Sequence, residues 1–204
     1  MCNKVTIPAM RPTVVQNADK SVFIENHDGG TVNINYNQPK INTTAEMLMA
    51  IRSFSTNYYQ LIVTGQDIFT SNSIIVPSNR ALTESIVPFE LLQTHSVLTD
   101  DAIERIRTMP AIICNENTQY NGETDMKQNA IYSYIKEIKK RGKEIDISFQ
   151  PIDFFPQHKL NRYAVDFEIN ISCALTDLNK PRWYIKKINL FDAFRAAHIN
   201  VPNL

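Results

Sequence analysis

The stretch IYSYIKEIKKRGKEIDISF, residues 131–149, decides the fold class, because its two halves carry different periodicities. Apolar and polar residues alternate over 144–149, which predicts a half-buried β-strand. The apolar residues of 127–143 share one face of a helix that Gly142 would end, and periodicity favours this helix. The same residues could instead enter a β-hairpin that turns at Arg141-Gly142.

Five further segments of the C-terminal half have clear local signals. Residues 111–114 predict a buried strand, and 165–172 and 183–188 predict two more strands. A helix over 98–107 has a Thr or Asp cap, acids in its first turn and bases in its last, and Asn189 caps a final helix. Together these segments predict an α+β unit with a mainly antiparallel sheet and flanking helices.

The N-terminal part carries the clearest hairpin signal. Residues 21–26 and 31–37 flank His27-Asp28-Gly29-Gly30, a turn whose glycines can adopt positive φ. In the second strand one face is apolar and the other is lined with amides. Because an isolated hairpin is marginal in water, we predict that this one drives oligomerisation or docks a partner. The residues predicted to do so are Val32, Ile34 and Tyr36 on the apolar face, and Asn33 and Asn35 on the amide face.

The chain is therefore predicted to have three parts. Residues 1–40 form the hairpin arm, 41–95 a helical or mixed connector, and 96–204 the α+β domain. The connector opens with a helix over Ala45–Tyr59, capped by Asn42 or Thr43. The rest of the connector, 61–95, contains two short apolar runs and a possible helix before Pro88, and its fold is left open.

Composition excludes several function classes. The 204 residues include 21 Lys and Arg against 21 Asp and Glu, so no global field holds the chain on nucleic acid or an anionic membrane. The five glycines form neither a Walker loop nor a dinucleotide-binding motif, and three widely separated cysteines fit neither a disulfide framework nor a zinc site. We expect no metal, no cofactor, no membrane partner and a cytoplasmic location. Whether the chain is an enzyme stays open, and a non-enzymatic role is favoured.

One set of residues supports a catalytic alternative. Glu137 and Lys139 form an E-x-K pair with Asp125 twelve residues upstream, the spacing found around the metal of many nucleases. The pair can act together only if it lies on a strand, where alternate side chains share a face. A solvated charged surface is the competing interpretation.

Two basic groups suggest a nucleic-acid-binding alternative. If the second group forms a strand, one aromatic residue lies between two cations, as in platforms for single strands. Acidic residues interleave both groups, and the single tryptophan, Trp183, is expected to anchor the core. The first group is Lys136, Lys139, Lys140, Arg141 and Lys143, and the second is Arg182, Tyr184, Lys186 and Lys187.

Two segments resemble parts of uncharacterised bacterial proteins. Leu160-Asn161-Arg162 and the run from Asp177 to Leu190 look like a module with an Asn-Arg-x-x-Trp segment followed by Lys and Asn-Leu, and the similarity spans 98–200. Residues 24–35 are similar to short β segments near the N-termini of bacterial accessory proteins, some in phage-defence or mobile-element settings. The resemblance implies a bacterial accessory role and favours the hairpin over the helix at 131–149.

Overall fold

The computed structural model describes residues 41, 43–83, 87–118, 128–172 and 175–201, and all of them belong to one compact unit. The predicted N-terminal hairpin lies outside the described residues. Five helices are present in the described part, together with eight strands. The helices are α1 Ala45–Arg52, α2 Phe89–His95, α3 Asp100–Arg107, α4 His158–Arg162 and α5 Leu190–Ala196. The strands are β1 Tyr59–Thr64, β2 Ser73–Pro77, β3 Ala111–Asn115, β4 Asn129–Arg141, β5 Glu144–Pro156, β6 Ile171–Ser172, β7 Leu175–Thr176 and β8 Arg182–Lys186.

Six strands form one mixed sheet in the order β2-β5-β4-β3-β1-β8. Four of its pairings are antiparallel, and β1 with β3 is parallel. The short strands β6 and β7 pair separately. The predicted α+β class with a mainly antiparallel sheet is confirmed for the described residues.

The sheet curls so that its two edges approach each other. A 3-10 helix, Ser78–Arg80, follows β2 at one edge, and the next residue, Ala81, forms a bridge with Trp183 of β8 at the other edge. A flat sheet of six strands would separate these edges by about 24 Å. The four steps from Pro77 to Ala81 span at most about 14 Å, so this short crossing requires the curl.

The segment 131–149 forms a β-hairpin, so the helix favoured by periodicity over 127–143 is wrong. Strands β4 and β5 pair along their length, with register shifts at Tyr132/Ser133 and Ile135/Glu137. Gly142 has φ +63°, a conformation that a hairpin turn requires and glycine adopts without strain. The two shifts change which side chains face inward, and this produces the helix-like spacing of apolar residues.

The predicted strand over 165–172 is wrong for 165–170, and only Ile171 and Ser172 form a strand, β6. Beyond α4 the chain continues in helical turns, and Phe167 N donates to Tyr163 O at 3.2 Å. Glu168 has φ +52°, and Ile169 N donates to Ala164 O at 2.8 Å, which is how helices commonly end. Phe167 is fully buried but Val165 is 84% exposed, so these two residues do not share a face as a strand would require.

The first helix is shorter than predicted. α1 ends at Arg52, and Thr44 rather than Asn42 or Thr43 caps it, accepting from Met47 N at 3.1 Å. Ser55 Oγ accepts from the backbone N–H of Asn57 and Tyr58 and so stabilises a turn that competes with further helix. The helix therefore ends early enough along the chain for β1 to begin at Tyr59.

Residues from the predicted connector form part of the same sheet as the rest. β1 lies between β3 and β8, and β2 forms one edge beside β5. All six residues of β1 are buried, because a central strand is covered on both faces. Over 78–87 the described part contains only the 3-10 helix at Ser78–Arg80 and the bridge at Ala81, and α2 begins after Pro88.

Two helix starts confirm the local signals. Thr99 caps α3 through its bond from Ala102 N at 3.3 Å, and Asn189 caps α5 by accepting from Phe191 N at 3.0 Å. Phe194 of α5 packs edge-on against Tyr132 of β4, with ring centroids 5.2 Å apart. The helix thus covers one face of the sheet.

Candidate functional site

The five residues predicted to mediate oligomerisation, Val32, Asn33, Ile34, Asn35 and Tyr36, lie outside the described residues. No contact or geometry is therefore assigned to them.

Of the three nuclease candidates, one lies outside the described residues and the other two form an ion pair with each other. Asp125 is not described, while Glu137 and Lys139 lie on β4, as an E-x-K pair needs. Lys139 Nζ is 2.7 Å from Glu137 Oε2, and each side chain is about half exposed. Across the hairpin, Asp146 is bound to Arg141 at 3.3 Å and accepts from Ser73 Oγ at 2.7 Å.

The carboxylates of Glu137 and Asp146 therefore bind cations or a hydroxyl and do not form a carboxylate pair that could share a metal ion. Within the described ranges no three His, Cys, Asp or Glu side chains come together as a set of metal ligands. An open groove of about 600 Å³ lies beside the register shift of β4, lined in part by Lys136, Glu137, Ser73 and Gln150. Lys136 Nζ is itself 3.6 Å from Glu46 of α1, so this groove is polar and partly ion-paired.

The first basic group lies around the β4–β5 turn. Lys136, Lys139 and Arg141 are all ion-paired with carboxylates. Lys140 and Lys143 are exposed, and neither forms an ion pair with another described residue. The turn is anchored, because Ser78 N donates to Lys143 O at 2.8 Å.

The second basic group does not form the predicted aromatic platform. Tyr184 is 2% exposed and Lys186 is 5% exposed, so neither can stack on a base or reach a phosphate. Arg182 is half-buried, and the exposed Lys187 is ion-paired with Glu90 of α2. The platform requires an exposed face on this strand, but both faces of β8 are covered.

An ion pair that the sequence did not predict accompanies this burial. Lys186 Nζ lies 2.7 Å from Asp177 Oδ2, and the same oxygen accepts from Asn170 N at 2.9 Å and Asn170 Nδ2 at 3.0 Å. Lys186 also lies over the Tyr184 ring, 5.1 Å from its centroid. The cluster joins Asn170 and the 3-10 helix Asp177–Asn179 to β8. No sequence pattern marks Asp177, because its partner lies on another element.

Two buried amide clusters were also missed. Gln60 Nε2 donates to Ile106 O and Met109 O, each at 2.9 Å, while its Oε1 accepts from Trp183 Nε1 at 3.2 Å. Gln157 Nε2 donates to Asn115 O at 2.7 Å. These amides satisfy main-chain and indole groups at strand ends, which is a structural role.

The described cysteine is not a nucleophile in this structure. Cys114 lies on β3 and is fully buried, and burial raises the pKa of its thiol to about 12. A thiol with this pKa carries almost no thiolate at neutral pH, and the thiolate is the reactive form. Cys2 and Cys173 lie outside the described residues.

No family model, curated protein or solved structure matches the chain. In the described part of the chain, no helix has both the length and the apolar character needed to cross a bilayer.

Proposed function

We propose that this chain is a non-enzymatic interaction protein that self-associates or docks a protein partner through its N-terminal hairpin, residues 21–37. The observation that carries the proposal is the strict alternation of Val32, Ile34 and Tyr36 with asparagines in the second strand. The apolar face needs a cover that a two-stranded hairpin cannot supply by itself. Stacked asparagines suit contacts between copies of one strand.

Truncation before Lys40 removes no residue of the described sheet or of the described core. All six strands of the main sheet lie between Tyr59 and Lys186. The described core likewise extends from Met47 to Ile199. A chain that starts near Lys40 therefore retains the whole sheet and its described core, so a change in mass on truncation reports on the hairpin.

We expect the full chain to be an oligomer and the chain starting at Lys40 to be a monomer. Light scattering coupled to size exclusion measures both masses directly. A circular dichroism spectrum and a cooperative melt of the truncated chain serve as the control for folding. If the full chain is a monomer, a pull-down with and without residues 1–39 tests the docking form. Equal mass and equal capture for both chains would remove the proposal.

A point variant tests the apolar face by itself. Ile34→Asp places a charge on that face, and a buried unpaired carboxylate opposes association. We expect the variant to shift the full chain toward monomer. Asn17→Asp adds the same charge before the hairpin and should leave the mass unchanged. Equal behaviour of the two variants would contradict a role for the apolar face.

We further propose that the protein is a bacterial accessory protein acting in a phage-defence or mobile-element setting. The resemblance of residues 24–35 and 98–200 to segments of bacterial proteins supports this setting. A phage-plaque assay on cells with and without the gene tests it, and unchanged plaque counts across a phage panel would oppose the defence form.

A further inference from the structure

Curling of the sheet brings two basic regions to a common rim. Ser78 N is bonded to Lys143 O at the β4–β5 turn, and three residues later Ala81 bridges to Trp183. Leu82 N then donates to Trp183 O at 3.2 Å. The short crossing Ser78–Arg80 therefore connects the hairpin turn to the start of β8, which are far apart in the sequence.

Five cations lie along this rim. Arg80 is the last residue of the crossing and so lies between the β4–β5 turn and β8. Arg80, Lys140, Lys143 and Lys180 are exposed and Arg182 is half-buried. Among the described residues none of the five takes part in an ion pair, unlike Lys136, Lys139, Arg141, Lys186 and Lys187. Glu144 is the acidic residue that lies in the same turn, so the rim keeps a positive balance.

The length of the rim suits a run of phosphates. Each strand pairing separates Cα atoms by about 5 Å, and the crossing adds at most about 11 Å, so Lys143 and Trp183 lie within about 21 Å. A double-stranded nucleic acid carries one charge per about 1.7 Å of its axis. The rim can therefore contact several phosphates, along no more than about six base pairs.

The chemistry around the rim favours a duplex over the other polyanions. Trp183 and Tyr184 are buried, so the stacking contacts that hold single strands are lacking there. Segments 78–81, 139–143 and 180–182 contain no aromatic or large apolar residue. Peripheral membrane binding generally combines cations with such anchors.

We propose that this rim binds the phosphate backbone of double-stranded nucleic acid without reading its sequence. Phosphate contacts position a protein on a duplex, and base contacts would be needed to specify a sequence. The site differs from the aromatic platform predicted at Arg182–Lys187 and does not depend on the proposed role of the hairpin.

Fluorescence anisotropy of the full chain with a labelled 20-base-pair duplex, in DNA and RNA forms, tests the proposal. With five phosphate contacts the affinity should fall on the order of 500-fold between 50 and 200 mM salt. Arg80→Ala should weaken binding to every duplex and reduce the salt slope by about one. Arg52→Ala removes an exposed cation on α1, outside the segments that form the rim, and should leave both the affinity and the salt slope unchanged.

The two ends of the rim provide the decisive comparison. Lys143→Ala and Lys180→Ala should each reduce the salt slope by about one, since both ends contact the same duplex. The backbone bond of Lys143 does not involve its side chain, so this variant keeps the turn. Absence of duplex binding, equal effects of Arg80→Ala and Arg52→Ala, tighter binding to the matching single strand, or binding only to phosphatidylserine vesicles would overturn the proposal.

Discussion

Replacement of Asp177 by Ala is expected to lower the free energy of unfolding by about 3–5 kcal/mol. The variant leaves Lys186 buried without its partner, and its side chain is only 7% exposed. It also removes the oxygen that accepts both Asn170 donors. Because the loss leaves a buried charge without its partner, it should be among the largest of any single polar substitution.

Urea denaturation followed by circular dichroism measures this loss. Glu137→Ala breaks an ion pair of the same 2.7 Å length whose side chains are about half exposed, and it should cost less than about 1 kcal/mol. The double variant Asp177→Ala with Lys186→Met should recover much of the stability, since replacing a buried pair with apolar residues is often neutral. A cost for Asp177→Ala no greater than for Glu137→Ala would show that the pair does not stabilise this segment.

Replacement of Trp183 by Ala is expected to lower the free energy of unfolding by about 3–5 kcal/mol. The indole is fully buried and donates to Gln60, which in turn holds the carbonyls of Ile106 and Met109. The substitution opens a cavity beside Ala81, where the crossing meets β8.

The matched controls separate burial from side-chain size. Trp183→Phe retains most of the apolar volume and should cost less than Trp183→Ala. Phe89→Ala removes a large ring that is 83% exposed and should change stability by less than about 0.5 kcal/mol. Equal costs for Trp183→Ala and Phe89→Ala would contradict the position of Trp183 in the core. Since Trp183 is the only tryptophan, the wild-type fluorescence should shift to longer wavelength as the chain unfolds.

Side-chain alternation and helix caps in the sequence correctly predicted several strands and helices. The strand at 144–149 and the helices capped by Thr99 and Asn189 all appear in the structure. Each signal involves residues within a few positions of each other, so local interactions determine these elements. The alternation at 165–172 misled for the same reason, because helical turns ending at Glu168 also bury Phe167 and Ile169.

The candidate sites were less predictable than the fold class. The sequence placed Tyr184 and Lys186 on a wet face, but Asp177 and the segment around it cover that face. No sequence pattern identifies Arg80, since it is an isolated cation in a stretch whose fold was left open. Its importance for the proposed rim arises from its position between Lys143 and Trp183.

By itself the sequence determined the α+β class, the mainly antiparallel sheet and the N-terminal caps of α3 and α5, because periodicity and capping act between near neighbours. Only the tertiary structure decided that 131–149 is a hairpin, that β1 and β2 belong to the main sheet, and which cations remain exposed. The pairs within the hairpin are 3 to 27 positions apart, but those that join β2 to β5 and β1 to β8 are 67 to 127 positions apart. Burial against such distant elements outweighs local preference.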